Sequence, residues 1–132
     1  MLDKSDAELI QHTTDGYNTI ADEWHQTRQE FWPEIADTIK QNISGNENII
    51  DVGCGNGRLL KILSSYPDIK YFGIDPSEKL IDYARVDFPG NKFEICDGIN
   101  VPAKNEEYDI CFSIAVMHHL PTSLVAEWLS EI

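Results

Sequence analysis

The sequence lacks any long apolar run, and this absence excludes a membrane-spanning protein. Hydrophobic residues make up 42% of its 132 positions, and the mean hydropathy is −0.33. No stretch approaches the roughly 20 consecutive apolar residues of a transmembrane helix. The first ten residues contain three acidic residues and no apolar core of a secretory signal. We therefore expect a cytoplasmic protein of about one domain that makes no contact with a membrane.

Cysteine is also scarce, which excludes a disulfide framework. Cys54, Cys96 and Cys111 are odd in number and far apart in the sequence, whereas disulfide-rich domains and zinc sites need paired spacings. Each cysteine lies in or beside an apolar segment, so we interpret all three as reduced thiols. The sequence predicts no metal site.

Positive charge is the third deficit. Ten Lys and Arg residues stand against 23 Asp and Glu residues, which gives a net charge of −13 and a pI near 4.4. Nucleic-acid-binding domains usually present a basic face. The overall charge therefore disfavours a polyanion such as tRNA as a ligand that this chain binds alone.

Residues 1–45 are predicted to be mainly helical. Apolar and aromatic side chains from Tyr17 to Phe31 recur at helical spacing, and Asp15-Gly16 predicts a turn before them. Pro33 is typical of the first turn of a second helix. The tryptophans of this region are interpreted as packing residues.

Residues 46–132 alternate between strands and helices. The predicted strands cover residues 48–52, 70–74, 92–95 and 108–113, and the predicted helices cover 58–66, 77–88 and a segment that begins at 121. Such alternation predicts βαβ units with right-handed crossovers. The expected fold class is therefore α/β, with a parallel sheet and helices on both of its faces.

A glycine-rich loop follows the first strand, where a doubly wound sheet binds its ligand. Its sequence is Asp51-Val52-Gly53-Cys54-Gly55-Asn56-Gly57. The glycines allow a tight turn, and the loop amides with the following helix N-terminus suit a carboxylate or phosphate. The spacing differs from the dinucleotide G-x-G-x-x-G, and no Walker lysine follows. An acid before the first glycine repels a pyrophosphate but suits an ammonium group, so the loop fits S-adenosylmethionine better than NAD.

Two further acids follow the next two strands. Asp75 closes the second strand, about 20 residues past the glycines, where a carboxylate can accept both ribose hydroxyls of a nucleoside. Asp97-Gly98 follows the third strand, where a carboxylate and adjacent amides suit the edge of adenine. Each of these residues alone is as typical of a turn or a helix entry. Their joint placement at strand ends favours a nucleoside-like ligand.

These residues resemble the class I S-adenosylmethionine-dependent methyltransferase family. The glycine loop resembles its first motif, Asp75 its second-strand acid, Asp97 its adenine-side acid, and residues 108–120 its fourth strand and the loop beyond. The resemblance implies a Rossmann-like fold in which the strands take the order 3-2-1-4. It also implies cofactor contacts from neighbouring residues, namely Pro76, Ser77, Gly98, Ser113 and Ile114.

A narrower resemblance is to the tRNA wobble-uridine carboxymethyl methyltransferases and their bacterial relatives. It rests on Tyr17-Asn18-Thr19-Ile20-Ala21, Trp24, Thr27-Arg28, Trp32-Pro33 and the segment from Ser113 to His119. In that family an N-terminal helical segment covers the cofactor. The resemblance therefore implies a helical cap over residues 1–45, with Tyr17 and Arg28 over the site, and a cofactor-binding half over residues 46–132. The implied reaction is methyl transfer to a small molecule or to a tRNA wobble-uridine side chain.

The sequence departs from this family in two ways. The tRNA family carries arginines after its His-His segment, whereas residues 121–127 contain none. The family sheet has seven strands and this sequence predicts four, so we expect a C-terminally truncated chain with an incomplete acceptor pocket. The fourth strand would then be an open edge for a partner or a second copy. The alternative function is a non-catalytic S-adenosylmethionine-binding or partner-docking module.

His118 and His119 follow the fourth strand on the expected acceptor side. Either is a candidate for a catalytic base or for a group that orients the acceptor. The pair is more typical of a loop that packs against the last helix. Two adjacent histidines do not predict a metal site, because their side chains point apart and no third ligand is evident.

Overall fold

The structure, a computed structural model, describes residues 2–132. In chain order its main elements are helix α1 (Lys4–Thr27), helix α2 (Pro33–Gln41), strand β1 (Asn48–Val52), helix α3 (Leu60–Leu63), strand β2 (Lys70–Asp75), helix α4 (Glu78–Asp87), strand β3 (Lys92–Ile95), strand β4 (Ile110–Phe112) and helix α5 (Val125–Glu131). Short 3₁₀ turns at Met117–His119 and Thr122–Leu124 connect β4 to α5. None of the helices within residues 2–132 has the length and apolar character needed to cross a membrane.

The strands form one parallel sheet in the order β3-β2-β1-β4. This order confirms the predicted fold class and topology. β1 is central, and its Ile50 is paired with Phe72 of β2 and Cys111 of β4. The residues from Ile49 to Val52 are all buried, as expected of a parallel strand that is covered on both faces. β3 and β4 are the two edges of the sheet.

Helices cover both faces of the sheet. The sheet therefore separates the core into two clusters, one on each face. The first cluster includes Ile39, Ile49, Leu59, Leu63, Ile81 and Phe93. The second includes Ile50, Val52, Phe72, Ile74, Leu124 and Trp128. Successive side chains of a strand point to opposite faces, which is why neighbouring isoleucines of β1 belong to different clusters.

The N-terminal helix is longer than the sequence predicts. α1 runs without a break through Asp15-Gly16, so the predicted turn there is wrong. It begins where Asp3 caps it by accepting a hydrogen bond of 3.0 Å from the amide of Asp6. A glycine inside a helix costs about 1 kcal/mol relative to alanine. The packing of α1 on α4, with Ala21 fully buried, offsets this local cost.

The helix predicted over residues 58–66 is mostly a series of turns. Only Leu60–Leu63 is α-helical, because the amides of Leu60, Lys61 and Ile62 donate to the carbonyl three residues earlier. Such bonds form the tighter 3₁₀ turn. β4 is also shorter than predicted, since only Ile110–Phe112 pairs with β1.

Candidate functional site

The carboxyl ends of the strands open into a cleft of about 730 Å³, which α1 and the segment after β4 also line. Most of the predicted site residues lie on its walls. They are Tyr17, Arg28, Asp51, Gly53, Cys54, Gly55, Asp75, Pro76, Ser77, Asp97, Gly98, Ile114, His118 and His119. Residues far apart in the sequence therefore meet at the strand ends, where open α/β sheets bind their ligands.

Three predicted site residues do not line this cleft. Asn56 is buried, and its Nδ2 donates a hydrogen bond of 3.0 Å to the carbonyl of Arg28, which ties the glycine loop to the end of α1. Gly57 packs against aromatic side chains of the core. The hydroxyl of Ser113 donates to the carbonyl at the end of β1, at 3.0 Å. These three residues contact other parts of the protein and do not face the cleft.

All three glycines of the loop have a positive φ, and two of them bring it close to other segments. Gly53 has a φ of 81° and Gly55 a φ of 55°, in the left-handed region that residues with a Cβ rarely adopt. A Cβ on Gly53 would lie 2.3 Å from Cγ2 of Val116, and one on Gly55 would lie 2.9 Å from Cη2 of Trp24. The loop therefore passes in close contact with α1 and with the segment after β4.

The amides of residues 53–55 in this loop donate hydrogen bonds within the protein. Those of Gly53 and Cys54 donate to the carbonyl of Ile74, at 2.8 and 3.0 Å. That of Gly55 donates to Oδ2 of Asp75, at 2.9 Å. These bonds join the ends of β1 and β2. They occupy the N–H groups, so these amides do not form the anion site that the sequence predicts for them.

Asp51 is a buried carboxyl group at the end of β1, with 4% of its surface exposed. Its Oδ2 accepts a hydrogen bond of 2.7 Å from the hydroxyl of Tyr71. Burial raises the pKa of Asp51 to about 7, the bond from Tyr71 lowers it, the charge of Asp75 raises it and that of Arg58 lowers it. Asp51 therefore changes its charge near neutral pH, and a cation in the cleft would favour the ionised form.

Asp75 is held in place by two backbone amides. Its Oδ1 accepts from the amide of Ser77 and its Oδ2 from the amide of Gly55, both at 2.9 Å. Burial raises the pKa of Asp75, although these two bonds lower it. Each carboxylate oxygen has a further lone pair. Asp75 can therefore accept hydrogen bonds from hydroxyl groups in the cleft without giving up its structural bonds.

Asp97 lies on an exposed part of the cleft, directly after β3. Its Oδ1 accepts from the amides of Ile99 and Asn100, at 2.9 and 3.0 Å. Burial acts to raise the pKa of Asp97, but the bonds from Asn100 and Ile99 outweigh it and the pKa is lowered. Asp97 is therefore a fixed, ionised acceptor at neutral pH.

A tyrosine and a histidine join α1 to the segment after β4. The hydroxyl of Tyr17 lies 2.6 Å from Nε2 of His119, and the ring of His118 lies 3.9 Å from that of His119. Burial and then His118 lower the pKa of His119. Burial and then Asp75 raise the pKa of Tyr17, while Arg28 lowers it. Both side chains of the pair are therefore neutral at pH 7.

Two arginines form a cationic pair around an aromatic ring. The guanidinium of Arg58 lies 4.0 Å from the ring centre of Phe31 and 5.5 Å from that of Trp24, and the guanidinium of Arg28 lies 5.6 Å from Trp24. Neither forms an ion pair with a carboxylate of residues 2–132. Burial and then Arg28 lower the pKa of Arg58. The pair places two positive charges on the wall of the cleft in a chain whose net charge is −13.

Sequence reasoning missed much of the wall that α1 and the segment after β4 contribute. The missed residues are Ile10, Thr13, Thr14, Gly16, Ile20, Trp24, Phe31, Trp32, Val52, Arg58, Leu80, Ala115, Val116, Leu120 and Trp128. The helical spacing that begins at Tyr17 extends back to Ile10, and the supposed turn at Asp15-Gly16 hid that signal. Ala115 has a φ of 60°. This strained conformation of a residue with a Cβ is not predicted by any local sequence pattern.

Metal-binding side chains are not grouped in the part of the chain that the structure describes. Within residues 2–132, no three His, Cys, Asp or Glu side chains are placed to hold a metal ion. Cys54, Cys96 and Cys111 are free thiols.

Comparison with known protein families decides the affiliation of the chain. A family model described as a methyltransferase domain matches residues 49–132, which is more than half of the sequence. The chain belongs to the methyltransferase family. Membership of this family is what the resemblance implied.

A curated relative of this methyltransferase is the tRNA (carboxymethyluridine(34)-5-O)-methyltransferase of Saccharomyces cerevisiae. The two are 43% identical over 106 residues, which cover 80% of this chain and 37% of the yeast protein. The methyltransferase described here therefore spans well under half the length of that relative.

Solved structures agree with the methyltransferase fold. A TehB-like S-adenosylmethionine-dependent methyltransferase of Corynebacterium glutamicum superposes with a TM-score of 0.68 at 25% identity, over 91% of this chain and 65% of that one. A phosphoethanolamine N-methyltransferase of Haemonchus contortus, solved with phosphoethanolamine and S-adenosylhomocysteine, gives a TM-score of 0.76 at 17% identity, over 99% of this chain and 30% of that one.

Proposed function

We propose that this chain binds S-adenosylmethionine in the cleft and transfers its methyl group to a carboxylate acceptor. In this proposal residues 1–45 are a helical cap and residues 46–132 the cofactor-binding half. The observation that carries it is the meeting of Asp51, Asp75 and Asp97 at adjacent strand ends around the glycine loop. Such a row of carboxyl groups fits a ligand with an ammonium group, ribose hydroxyls and an amino-substituted base, and without phosphate.

Each acid has a separate role in the proposal. Asp75 accepts hydrogen bonds from the two ribose hydroxyls, because its position is fixed and its remaining lone pairs are free. Asp97, with Gly98, contacts the base. Asp51 attracts the ammonium group, whose positive charge lowers the pKa of Asp51 and favours its ionised form. Pro76, Ser77 and Ile114 complete the walls around the nucleoside.

The two arginines supply the anion site that the loop amides do not. Arg28 and Arg58 have no carboxylate partner of their own among the described residues. A guanidinium binds a carboxylate through two parallel hydrogen bonds. We assign them to the carboxylate of the cofactor's amino-acid portion, opposite in charge to the ammonium that Asp51 attracts.

The chemistry makes modest demands on the protein. When bound, S-adenosylmethionine would supply a methyl group bonded to a sulfonium sulfur. The sulfur leaves as a neutral thioether when the methyl group is transferred. A carboxylate acceptor has already lost its proton at neutral pH, so no catalytic base is required. Tyr17 and His119 then serve as neutral hydrogen-bonding groups that orient the acceptor. The aromatic rings around them exclude water.

Two acceptors compete in this proposal. The yeast relative is named for a carboxymethyluridine of tRNA, which supports a wobble-uridine carboxylate as the first candidate. The net charge of −13 favours the second, a small-molecule carboxylate, because this chain offers few partners for phosphates. The outer edge of β4 is our proposed place for association with a partner chain or a second copy.

Calorimetric titration with S-adenosylhomocysteine tests the cofactor site. We expect binding by the wild-type chain, no binding of NAD, and a loss of roughly 100-fold in Asp75→Asn, since two hydrogen bonds to a charged group are weakened. Asp68→Asn is the matched control, because Asp68 is exposed and precedes β2 at its opposite end. A wild-type chain that is folded and does not bind would overturn the proposal. Unchanged affinity in Asp75→Asn would remove only Asp75 from the site.

The acceptor is tested with methyl-labelled S-adenosylmethionine. The chain is incubated with tRNA that carries carboxymethyluridine, or with the free carboxymethyl nucleoside. Transfer to a carboxylate yields a methyl ester, which mild alkali releases as labelled methanol. Label on the tRNA alone supports the first candidate, and label on the nucleoside supports the second. Cofactor binding with no transfer to any carboxylate indicates the non-catalytic module.

A further inference from the structure

One buried polar atom has no hydrogen-bond partner in the part of the chain that the structure describes. It is Nε1 of Trp128, on α5. The residue is 3% exposed, and an indole nitrogen can only donate. A buried donor without a partner has lost its hydrogen bonds to water and gained none in return. Native proteins rarely retain such a group without a reason.

Trp128 lies where this donor can meet a ligand. It packs in the second core cluster with Ile99 and Leu120, and it lines the same cleft as Asp97 and Gly98. Ile99 is only two residues past Asp97. The indole therefore belongs to the side of the cleft that the third strand forms, and the Arg28–Arg58 pair belongs to a different part of its wall.

We propose that the indole N–H of Trp128 donates a hydrogen bond to a ring nitrogen of the bound base. This inference rests on the proposed function, since it takes the ligand to be an adenine nucleoside. The ring nitrogens of adenine accept hydrogen bonds, and the side chains of Ile10 and Leu120, which line the cleft and pack against the same cluster as Trp128, have none to donate. The carboxylate of Asp97 accepts a hydrogen bond from the amino group of adenine, and the indole N–H of Trp128 donates one to a ring nitrogen. The two together discriminate adenine from bases that place donors and acceptors differently.

The test compares Trp128→Phe with wild type in the titration with S-adenosylhomocysteine. Phenylalanine keeps an aromatic ring and removes the N–H, so we expect a loss of roughly three- to tenfold in affinity, the size of one neutral hydrogen bond. Leu124→Val is the packing control. Leu124 is buried in the same cluster and does not line the cleft, so its variant should bind within about twofold of wild type.

Deaza analogues separate a hydrogen bond from a packing effect. The 1-deaza, 3-deaza and 7-deaza forms of S-adenosylhomocysteine each replace one ring nitrogen by carbon. One of them should bind wild type and Trp128→Phe equally, because the bond is already absent in both. If Trp128→Phe weakens all four ligands by the same factor, the indole acts only through packing and the proposal is wrong. Equal affinity of both proteins for the parent ligand also overturns it and leaves the proposed function intact, whereas failure of wild type to bind overturns both.

A second measurement does not depend on the variant's folding. The chain has three tryptophans, and Trp24→Phe and Trp32→Phe assign the other two indole signals in a ¹⁵N NMR spectrum. On addition of S-adenosylhomocysteine, the Trp128 indole proton should move downfield and exchange more slowly with solvent. An indole signal that stays in place under saturating ligand contradicts the proposal.

Discussion

Replacing Asp51 by Asn removes one buried ionisable group and keeps the shape of the side chain. Asp51 is 4% exposed, and its Oδ2 accepts the hydrogen bond from Tyr71. An amide oxygen can accept the same bond. The pKa of Asp51 is about 7 in the folded protein, compared with 3.8 for an ordinary aspartate. The folded and unfolded chains therefore bind different numbers of protons between these two pH values.

The sign of the effect follows from which state keeps the proton. Between about pH 4 and pH 7 the unfolded chain has released the proton of Asp51 and the folded chain still holds it. Raising the pH therefore lowers the free energy of unfolding in this window and has no effect through Asp51 above or below it. From pH 5 to pH 8 the loss is roughly 3 kcal/mol, at 1.36 kcal/mol for each pH step below the folded pKa. Burial also raises the pKa of Asp75, which contributes with the same sign.

Urea unfolding of the ligand-free chain at pH 5 and pH 8 measures this difference. Wild type should lose roughly 3 kcal/mol more than Asp51→Asn across the range. The variant should be the more stable protein at pH 8. Asp68→Asn, which changes an exposed aspartate, should follow wild type at both pH values. Parallel pH dependence in wild type and Asp51→Asn would show that Asp51 is already ionised at pH 5, and would refute the reasoning.

Other substitutions test the geometry of the cleft. Gly53→Ala should destabilise the chain by at least 2 kcal/mol more than Gly90→Ala in urea unfolding, since both have a positive φ but only the Cβ on Gly53 meets a side chain, at 2.3 Å. Equal losses would mean that the backbone conformation alone matters. A double-mutant cycle of Tyr17→Phe and His119→Ala should give a coupling of roughly 1 kcal/mol, from their 2.6 Å contact; additive effects would contradict that contact. Ser77→Ala removes the N-cap of α4 and should cost about 1 kcal/mol in the same assay. A loss of less than a few tenths of a kcal/mol would show that another group caps the helix in the variant.

The sheet was predictable because its signals are local. β1 is a short apolar segment followed at once by a glycine loop, and such a segment has few alternatives to a buried parallel strand. The acids Asp51, Asp75 and Asp97 were placed correctly in space by the same logic, since the carboxyl ends of parallel strands meet at one edge. The helix predicted over residues 77–88 begins at Ser77, a residue type that favours helix caps, and in the structure Oγ of Ser77 accepts from the amide of Leu80 at the start of α4.

The far wall of the cleft was not predictable, because it depends on tertiary packing. Gly16 is a turn residue by local preference, yet it lies within α1, where the packing of the whole helix outweighs one glycine. The pairing of Tyr17 with His119 joins residues 102 positions apart. No pattern along the chain fixes which rotamers of such residues will meet. Trp24 was interpreted as packing, and it does pack against Gly55, but its ring also lies 5.6 Å from the guanidinium of Arg28 and 5.5 Å from that of Arg58.

The hydrogen bonds of the loop amides bear on the contact between the cap (residues 1–45) and the body (residues 46–132). The amides of residues 53–55 bond to the end of β2, and the proposal therefore assigns the anionic group of the ligand to the guanidinium groups of Arg28 and Arg58. Arg58 belongs to the body and Arg28 to the end of α1, and Asn56 bonds to the carbonyl of Arg28. A ligand carboxylate held by both guanidinium groups would therefore fasten the cap to the body. It follows that ligand binding and the docking of α1 on residues 46–132 are coupled in the proposed function, and that Arg28→Ala should weaken both together.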